Sequence, residues 1–522
     1  MSSGVERNPP TPVTASTWCG FVMMCIGMFM AILDVQIVVT SLPTIQSALD
    51  IPPDAMSWVQ TAYLIAEVIS IPLTGLLTRV LGMRWLFVAS IACFTVSSIG
   101  CAASAAFSTL VAWRVLQGFS AGTLIPSVFA AVFVLFPSNR QGLATTLAGV
   151  LAVLAPTVGP IAGGWITQTY SWRWLFLVNV APGVVSALLA AIFLPRQSLR
   201  LEVLRALDVL SLGLLGIALA ALEIALKEAP TRGWTSGFAL GVLGLSLAAF
   251  AGFVRRTLGV TRPIVDLTTF ADRNFTIGCI LSFVLGIGLF GSVYLMPVFL
   301  AFVREHNALE IGEIMLVTGT AQLLVAPLAV ALEQRVDARL LTAIGFALFA
   351  LGLGLSGWQT PRTDFAAMFW PQVIRGLAIM FCLLPPTRLA LGRLAADRVA
   401  DASGVFNLMR NLGGAIGLAM IDTVIYTRAP VHSAAIAGQL RAGDVATARF
   451  AEIPPDLLAA SAAGATDAAA QAMAQPFVEK AALVQSINEA WLLVAVLTLA
   501  ALLCVPFAKR APQGSTFAQE AA

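Results

Sequence analysis

The chain alternates between apolar blocks of roughly twenty residues and short polar connectors. A helix rises 1.5 Å per residue, so about 20 apolar residues cross a hydrocarbon core about 30 Å thick. Read this way, the pattern predicts fourteen spanning helices. Their approximate limits are 17–42, 56–78, 84–104, 108–136, 141–167, 172–194, 207–227, 236–254, 275–302, 311–333, 338–357, 364–390, 402–427 and 483–508. The seventh and tenth are the weakest, because one contains Glu223 and the other opens on Glu310 and Glu313. Gly and Pro recur inside the blocks, which membrane helices tolerate because neighbouring groups take over the freed backbone. The first block is too long for a signal-peptide core and further apolar blocks follow it, so it is expected to remain as the first span.

The connectors set the topology. Placing the N-terminus in the cytoplasm puts 18 Lys and Arg residues in the inner loops and tails, including Arg79, Arg84, Arg140, Arg335 and Arg339. The short outer loops then hold five, and a bias of that sign marks the cytoplasmic side. Both termini are therefore expected inside. Residues 1–16 are polar and proline-containing and read as a disordered cytoplasmic lead. A first bundle of six spans is expected over 17–194, and a pair of inserted helices with flanking loops over 195–274. A second six-helix bundle is expected over 275–508, with a cytoplasmic tail over 509–522. The Ala-rich outer segment 428–482, with Pro454, Pro455 and Pro476, reads as flexible or short helical structure. The fold class is an all-α polytopic membrane protein.

Composition agrees and closes other routes. Hydrophobic residues make up 58% of the 522 residues and charged residues 11%, against about 25% charged in soluble domains. A net charge of +3 with no basic tract excludes a case for nucleic-acid binding. The seven cysteines all lie in apolar blocks without a CxxC pair, and the two histidines, His306 and His432, fall in predicted loops, so no metal site or disulfide framework is expected. No HExxH, nucleophile–histidine pair or Gly-rich phosphate loop supports an enzyme or an ATP-driven pump, and no cofactor is expected.

What remains is charge within the spans, which costs about 2.5–3.5 kcal/mol per Asp or Arg at a helix centre on insertion scales. Asp34, deep in the first span, is too short to snorkel. Burial penalises its charged form, which suits it to taking up and releasing a proton. Arg114 in the fourth span keeps its charge, so its role is to pair with a carboxylate; Glu67 in the second span is open as that partner or as a functional carboxylate itself. Gly118 and Gly122 follow Arg114 on one helix face and allow a neighbouring backbone to approach. Glu223 reads as nearer the outer interface; with Glu67, Gln117 and Asn407 it is a candidate for the substrate cavity. In the fifth span Pro156 and Pro160 kink the helix, while Gly159, Gly163 and Gly164 allow close packing; the segment is a candidate rocking element. Arg410 and Asn411, with Gly413 and Gly414, mark the thirteenth span, where Arg410 reads as structural or as part of a gate.

Four of these segments resemble the major facilitator superfamily, and within it the fourteen-helix drug:proton antiporter branch (the EmrB/QacA-like group). LDVQIVVTSLPTI at 33–45 is similar to that branch's first-helix signature, with Asp34 on the acidic position. WRVLQGFSAG at 113–122 is similar to the superfamily's fourth-helix arginine motif, APTVGPIAGGWI at 155–166 to the antiporter motif, and SGVFNLMRNLGGAIGLA at 403–419 to the branch's thirteenth-helix signature. The loop GLLTRVLGMR, with Gly75, Arg79, Gly82 and Arg84, is a divergent form of the superfamily's gating loop, Arg79 standing where an Asp is usual.

The resemblance implies two six-helix bundles rocking about a midplane cavity in the bacterial inner membrane. A proton gradient would drive export of small, lipophilic, often cationic compounds, with Asp34, Arg114 and Glu67 coupling the proton. In a double-membraned bacterium it also implies a periplasmic adaptor and an outer-membrane channel as partners. Export of one native metabolite or siderophore, and proton-coupled nutrient uptake, are the competing expectations.

Overall fold

The computed structural model describes residues 14–52, 55–56, 58–197, 208–260, 265–392, 394, 396–455, 457–458 and 468–509. Most of the expected lead, of the 195–206 connector and of the C-terminal tail, and the middle of the 428–482 segment, lie outside them.

Every regular element among the described residues is helical, as a bilayer requires of a chain that does not close into a barrel. The first bundle comprises α1 (Ala15–Ala48), α2 (Trp58–Ser70), α3 (Leu73–Ala103), α4 (Phe107–Leu135), α5 (Ser138–Thr169), the short α6 (Trp174–Leu177) and α7 (Val180–Phe193). A hairpin follows, α8 (Val209–Arg232) and α9 (Gly237–Gly259). The second bundle comprises α10 (Arg273–Phe302), α11 (Ala308–Arg335), α12 (Ala338–Leu355), α13 (Phe365–Leu391), α14 (Ala396–Arg441), the short α15 (Val445–Phe450) and α16 (Ala468–Ala500), which runs on as a 3₁₀ helix over Ala501–Phe507.

Twelve helices among the described residues are long and apolar enough to cross a membrane. A bent pair in α5, Leu147–Pro156 and Val158–Thr169 at 44°, makes a thirteenth. The fourteenth comes from a break inside α3. Gly82 there has φ 74° and ψ 154°, so α2 with the stretch to residue 81 forms one span and residues 83–103 the next. A positive φ of this kind favours Gly over any residue with a Cβ. The least apolar predicted spans are both helical. At the tenth, Asn307 and Glu310 form a capping box that ends the helix outside the apolar stretch, which accounts for the glutamate at its start.

One expectation is resolved and sharpened. Of the two alternatives for the 428–482 segment, flexible or short helical, the described residues are helical, and two of the helices continue the spans rather than being short. α14 runs unbroken for 46 residues, about 69 Å of helix and more than twice the bilayer core. The projecting part packs with α15 and the start of α16 around Ile436, Leu440, Ile453 and Val478, a small core of its own. Glu223 is buried against neighbouring helices, with its Oε1 lacking a hydrogen-bond partner among the described residues.

The two bundles meet along two seams. On one, α5 lies against α11, where a Cβ at Gly312 would sit 2.7 Å from the Pro160 carbonyl oxygen, and Gln168 Nε2 donates to Asn307 Oδ1 at 2.5 Å. On the other, α2 and α14 are bridged by the inserted hairpin, with Val68, Ile71, Leu215, Leu219, Phe253 and Leu408 in one apolar cluster. At one end of that seam Trp58 Nε1 donates to Glu228 Oε1 at 3.1 Å and Trp234 Nε1 to Thr423 Oγ1 at 2.9 Å, so the hairpin holds both bundles.

Within the first bundle α4 presses on α2. A Cβ at Gly118 would overlap the Tyr63 carbonyl, and one at Gly122 the Ser70 hydroxyl and the Glu67 carbonyl. Gly118→Val is therefore expected to cost about 1–3 kcal/mol of overpacking. It should lower the thermal midpoint of the detergent-purified protein, while Gly213→Ala, with open space around it, leaves the midpoint unchanged.

Candidate functional site

Helix packing at the Gly118/Gly122 strip puts Arg114 against the α2 backbone. Its Nε donates to the Val59 carbonyl at 2.9 Å, and its guanidinium lies 4.3 Å from the Tyr63 ring centroid and 5.8 Å from that of Phe176. Opposite stands Asp34 on α1. Arg114 Nη1 donates to Asp34 Oδ2 at 2.5 Å, and both side chains are fully excluded from solvent. Of the two carboxylates left open as partners of Arg114, the structure selects Asp34. Glu67 is buried one helix turn from Tyr63 and near enough to feel the charge of Arg114, but forms no ion pair with it.

Two amides complete the cluster. Gln117 Nε2 donates to Asp34 Oδ1 at 3.0 Å and to Ser98 Oγ at 2.9 Å, and its Oε1 accepts from Arg114 Nη1 at 2.7 Å. Asn179 Nδ2 donates to the same Asp34 Oδ1 at 2.7 Å. Asn179 stands just before α7 yet makes no side-chain cap for it; its amide goes to the carboxylate instead. Gln117 thus belongs to the buried cluster rather than to an open cavity wall. Asn179, Ser98 and Tyr63 escaped the sequence reading, although Asn179 is a lone amide in an apolar run, the kind of polar residue that a span carries at a cost.

The arrangement has a chemical consequence. An ionised carboxylate only accepts, and here three donors converge on Asp34. Ionised Asp34 thereby ties α1 to α4 and to the start of α7.

The remaining motif residues divide by location. In α5, Gly159 faces Gln36 and Gly163 faces Ile37 and Thr40, all on α1, while Pro160 turns to α11; Pro156 lies at the bend and Gly164 is buried beside them. One helix thus touches the Asp34 helix on one side and the other bundle on the opposite side. In the gating loop, Gly75 and Arg79 face the second bundle, and Arg79 Nη1 is 3.3 Å from Asp401 Oδ2 of α14. Gly82 and Arg84 stay within the first bundle: Gln197 packs on Gly82, and Arg84 donates to the carbonyls of Leu194 and Ala191. In α14, Gly413 and Gly414 receive Phe283 and Phe290 of α10. Arg410 Nη2 donates to Asn407 Oδ1 at 2.6 Å and Asn407 Nδ2 to the Ser403 carbonyl, so the Asn407 amide is used within its own helix. Asn411 sits one residue further on, half-buried.

Two six-helix bundles joined along two seams, with an ion pair enclosed in one of them, define a secondary-transporter architecture. The chain belongs to the Major Facilitator Superfamily, whose family model matches residues 24–418. It is 37% identical to the colistin resistance protein EmrB of Acinetobacter baumannii, over 83% of this chain and 84% of that protein. It is 32% identical to the multidrug export protein EmrB of Escherichia coli K12, over 79% and 81%. It is 30% identical to the fatty acid resistance protein FarB of Neisseria gonorrhoeae, over 81% and 83%. In fold it is similar to the E. coli xylose transporter XylE in a partially occluded inward-open conformation, with a TM-score of 0.55 at 13% identity, covering 78% of this chain and 92% of that one. The protein is a multi-pass transporter of the inner membrane.

Removing one partner of a buried pair strands the other charge, at about 3–5 kcal/mol. Arg114→Gln is expected to lower the thermal midpoint more than the Arg114→Gln/Asp34→Asn double variant does, and unfolding midpoints of the four proteins in a double-mutant cycle measure the difference. The exposed Arg79–Asp401 pair is worth about 0–1 kcal/mol to stability. Arg79→Asp should therefore leave the midpoint in place while slowing transport, and Arg79→Asp with Asp401→Arg should restore the rate.

Proposed function

We propose that the chain is a proton-coupled antiporter that exports lipophilic, often cationic drugs and toxic compounds from the cytoplasm. The observation that carries this reading is the enclosed Asp34–Arg114–Gln117–Asn179 cluster, an ionisable group inside a span that ties α1 to α4 and to the start of α7. The names of the relatives, which speak of multidrug export, colistin resistance and fatty acid resistance, favour outward transport over nutrient uptake.

In this reading a proton reaching Asp34 loosens its hold on Arg114 and the two amides. The α5 helix carries that change to the second bundle, because its glycines rest on α1 and its Pro160 rests on Gly312 of α11. Deprotonation restores the three contacts and resets the bundle. Arg114 keeps its charge throughout and holds the geometry through the Val59 carbonyl. Glu67, buried on α2 one turn from Tyr63, is the other acid of this bundle interior and would counterbalance part of the Arg114 charge when Asp34 is neutral. The basic connectors favour a cytoplasmic position for both termini, and a periplasmic adaptor with an outer-membrane channel would carry the exported compound onward.

Efflux-deficient cells carrying the wild-type chain should tolerate several-fold higher concentrations of some lipophilic cations than empty-vector cells. At matched membrane levels Asp34→Asn should remove that tolerance, and everted vesicles should lose substrate-induced proton release. Retained tolerance and proton release in Asp34→Asn would remove Asp34 from the coupling step. Absent tolerance to any compound, with growth gained on a sole nutrient, would replace export by uptake.

A further inference from the structure

The second bundle contains an arginine that echoes Arg114 but has no carboxylate partner among the described residues. Arg375 lies on α13, the fourth span of its bundle, as α4 is of the first. It is 2% exposed. Arg114 meets the first span of its bundle through Asp34 and the sixth through Phe176. Arg375 meets the first span of its own bundle through Met296, whose Sδ accepts from Nη2 at 3.4 Å, and the sixth through Trp491, whose ring centroid is 4.8 Å away. A thioether thus stands where the first bundle has its acid, and thioether sulfur is a weak acceptor.

Three donors at this place lack an acceptor among the described residues. They are Nε of Arg375, Nε1 of Trp491, and Nε2 of Gln372 one turn earlier on α13. Gln372 and Trp491 are fully buried. The Gln372 amide is oriented by Thr318, whose hydroxyl donates to its Oε1 at 3.1 Å and leaves Nε2 as the free end. Arg375 is also fixed in position: a Cβ at Gly352 of α12 would lie 2.6 Å from its Cγ, and Gly376 is seated against the α11 backbone at Thr318. The side chain cannot withdraw to the interface, and a guanidinium keeps its proton. An enclosed cation beside N–H groups that lack acceptors is the complement of a negatively charged acceptor.

We propose that Arg375, Trp491 and Gln372 form a binding site for a singly charged anion, a halide or a carboxylate, inside the second bundle. The lone positive charge matches one negative charge, and the planar fork of Arg375 matches two carboxylate oxygens. The apolar walls, Met296 and the Trp491 ring, suit an anion that sheds its water or a carboxylate on an apolar body. Two sources fit this chemistry: a small inorganic or organic ion, and the acid group of a transported lipophile. The site lies in a different bundle from Asp34, and its test is independent of drug export.

The full chain, purified in detergent, is held at constant ionic strength in potassium gluconate, whose anion is bulky and hydrophilic. Chloride, formate or hexanoate replaces gluconate stepwise while the thermal midpoint is followed. A saturable rise with chloride and formate identifies a small-ion site; a rise with hexanoate alone identifies the acid group of a cargo. Met296→Glu places a carboxylate on the span that faces Arg375, and should raise the midpoint in gluconate and weaken the anion response at least tenfold. Arg375→Gln, where it folds, should abolish the response. No saturable response in the wild type, or an undiminished one in Met296→Glu, overturns the proposal and leaves Arg375 as a cation held by the Trp491 ring and the Met296 sulfur.

Discussion

The Asp34–Arg114 pair is the constraint around which the first bundle is arranged. Two opposite charges in a hydrocarbon layer are tolerable only when they meet with good geometry and when their remaining donors and lone pairs are used. The bundle meets most of this demand with parts from four spans, and only Arg114 Nη2 is left without an acceptor among the described residues. Asp34 comes from α1, Arg114 and Gln117 from α4, the Val59 carbonyl and the Tyr63 ring from α2, and Asn179 from the start of α7. The glycines at 118 and 122 are part of the same solution. They bring α2 close enough for a backbone carbonyl to reach the guanidinium, so the packing strip and the charge cluster are one device. The pair contributes little net stability by itself, and under the proposed proton coupling its value lies in tying the helix arrangement to one proton.

That dependence reaches the rest of the molecule through small residues. α5 rests on α1 through Gly159 and Gly163 and on α11 through Pro160, and the bend at Pro156 lets its two halves follow different neighbours. The opposite seam is held more polarly. Arg79 reaches Asp401 at one end, while Trp58 and Trp234 at the other tie α2 and α14 to the ends of the inserted hairpin. The hairpin therefore does not hang off one bundle; it spans the line along which the bundles must part, and its tryptophan contacts must break or slide if they do.

The fourteen blocks were legible in the sequence because a bilayer imposes both length and polarity on a span. The ends of α14 and α16 were not, since beyond the membrane the Ala-rich segment keeps helix propensity while losing hydropathy. The cost of charge singled out Asp34 and Arg114, but hydropathy has no term for partner choice, and Glu67 remained an equal claimant until packing decided it. Arg79 looked like a lost gating residue in the sequence; Asp401, more than three hundred positions away, shows where its counter-charge went. Asn179 carries no formal charge, so a reading that weighed only charge inside the spans passed over it.

The two halves use the same cost differently. In the first bundle the fourth-span arginine is neutralised from within, and what can vary is the proton on its partner. In the second bundle the fourth-span arginine has sulfur and an aromatic face in the corresponding directions, and three donors around it stay unspent. A charge that a bundle does not neutralise itself has to be tolerated at a loss or neutralised by something that enters. Arg375 sits clamped between Gly352 and Trp491 with its Nε unspent, which is what the proposed anion site requires of the second bundle, as the proposed proton coupling requires an enclosed acid of the first.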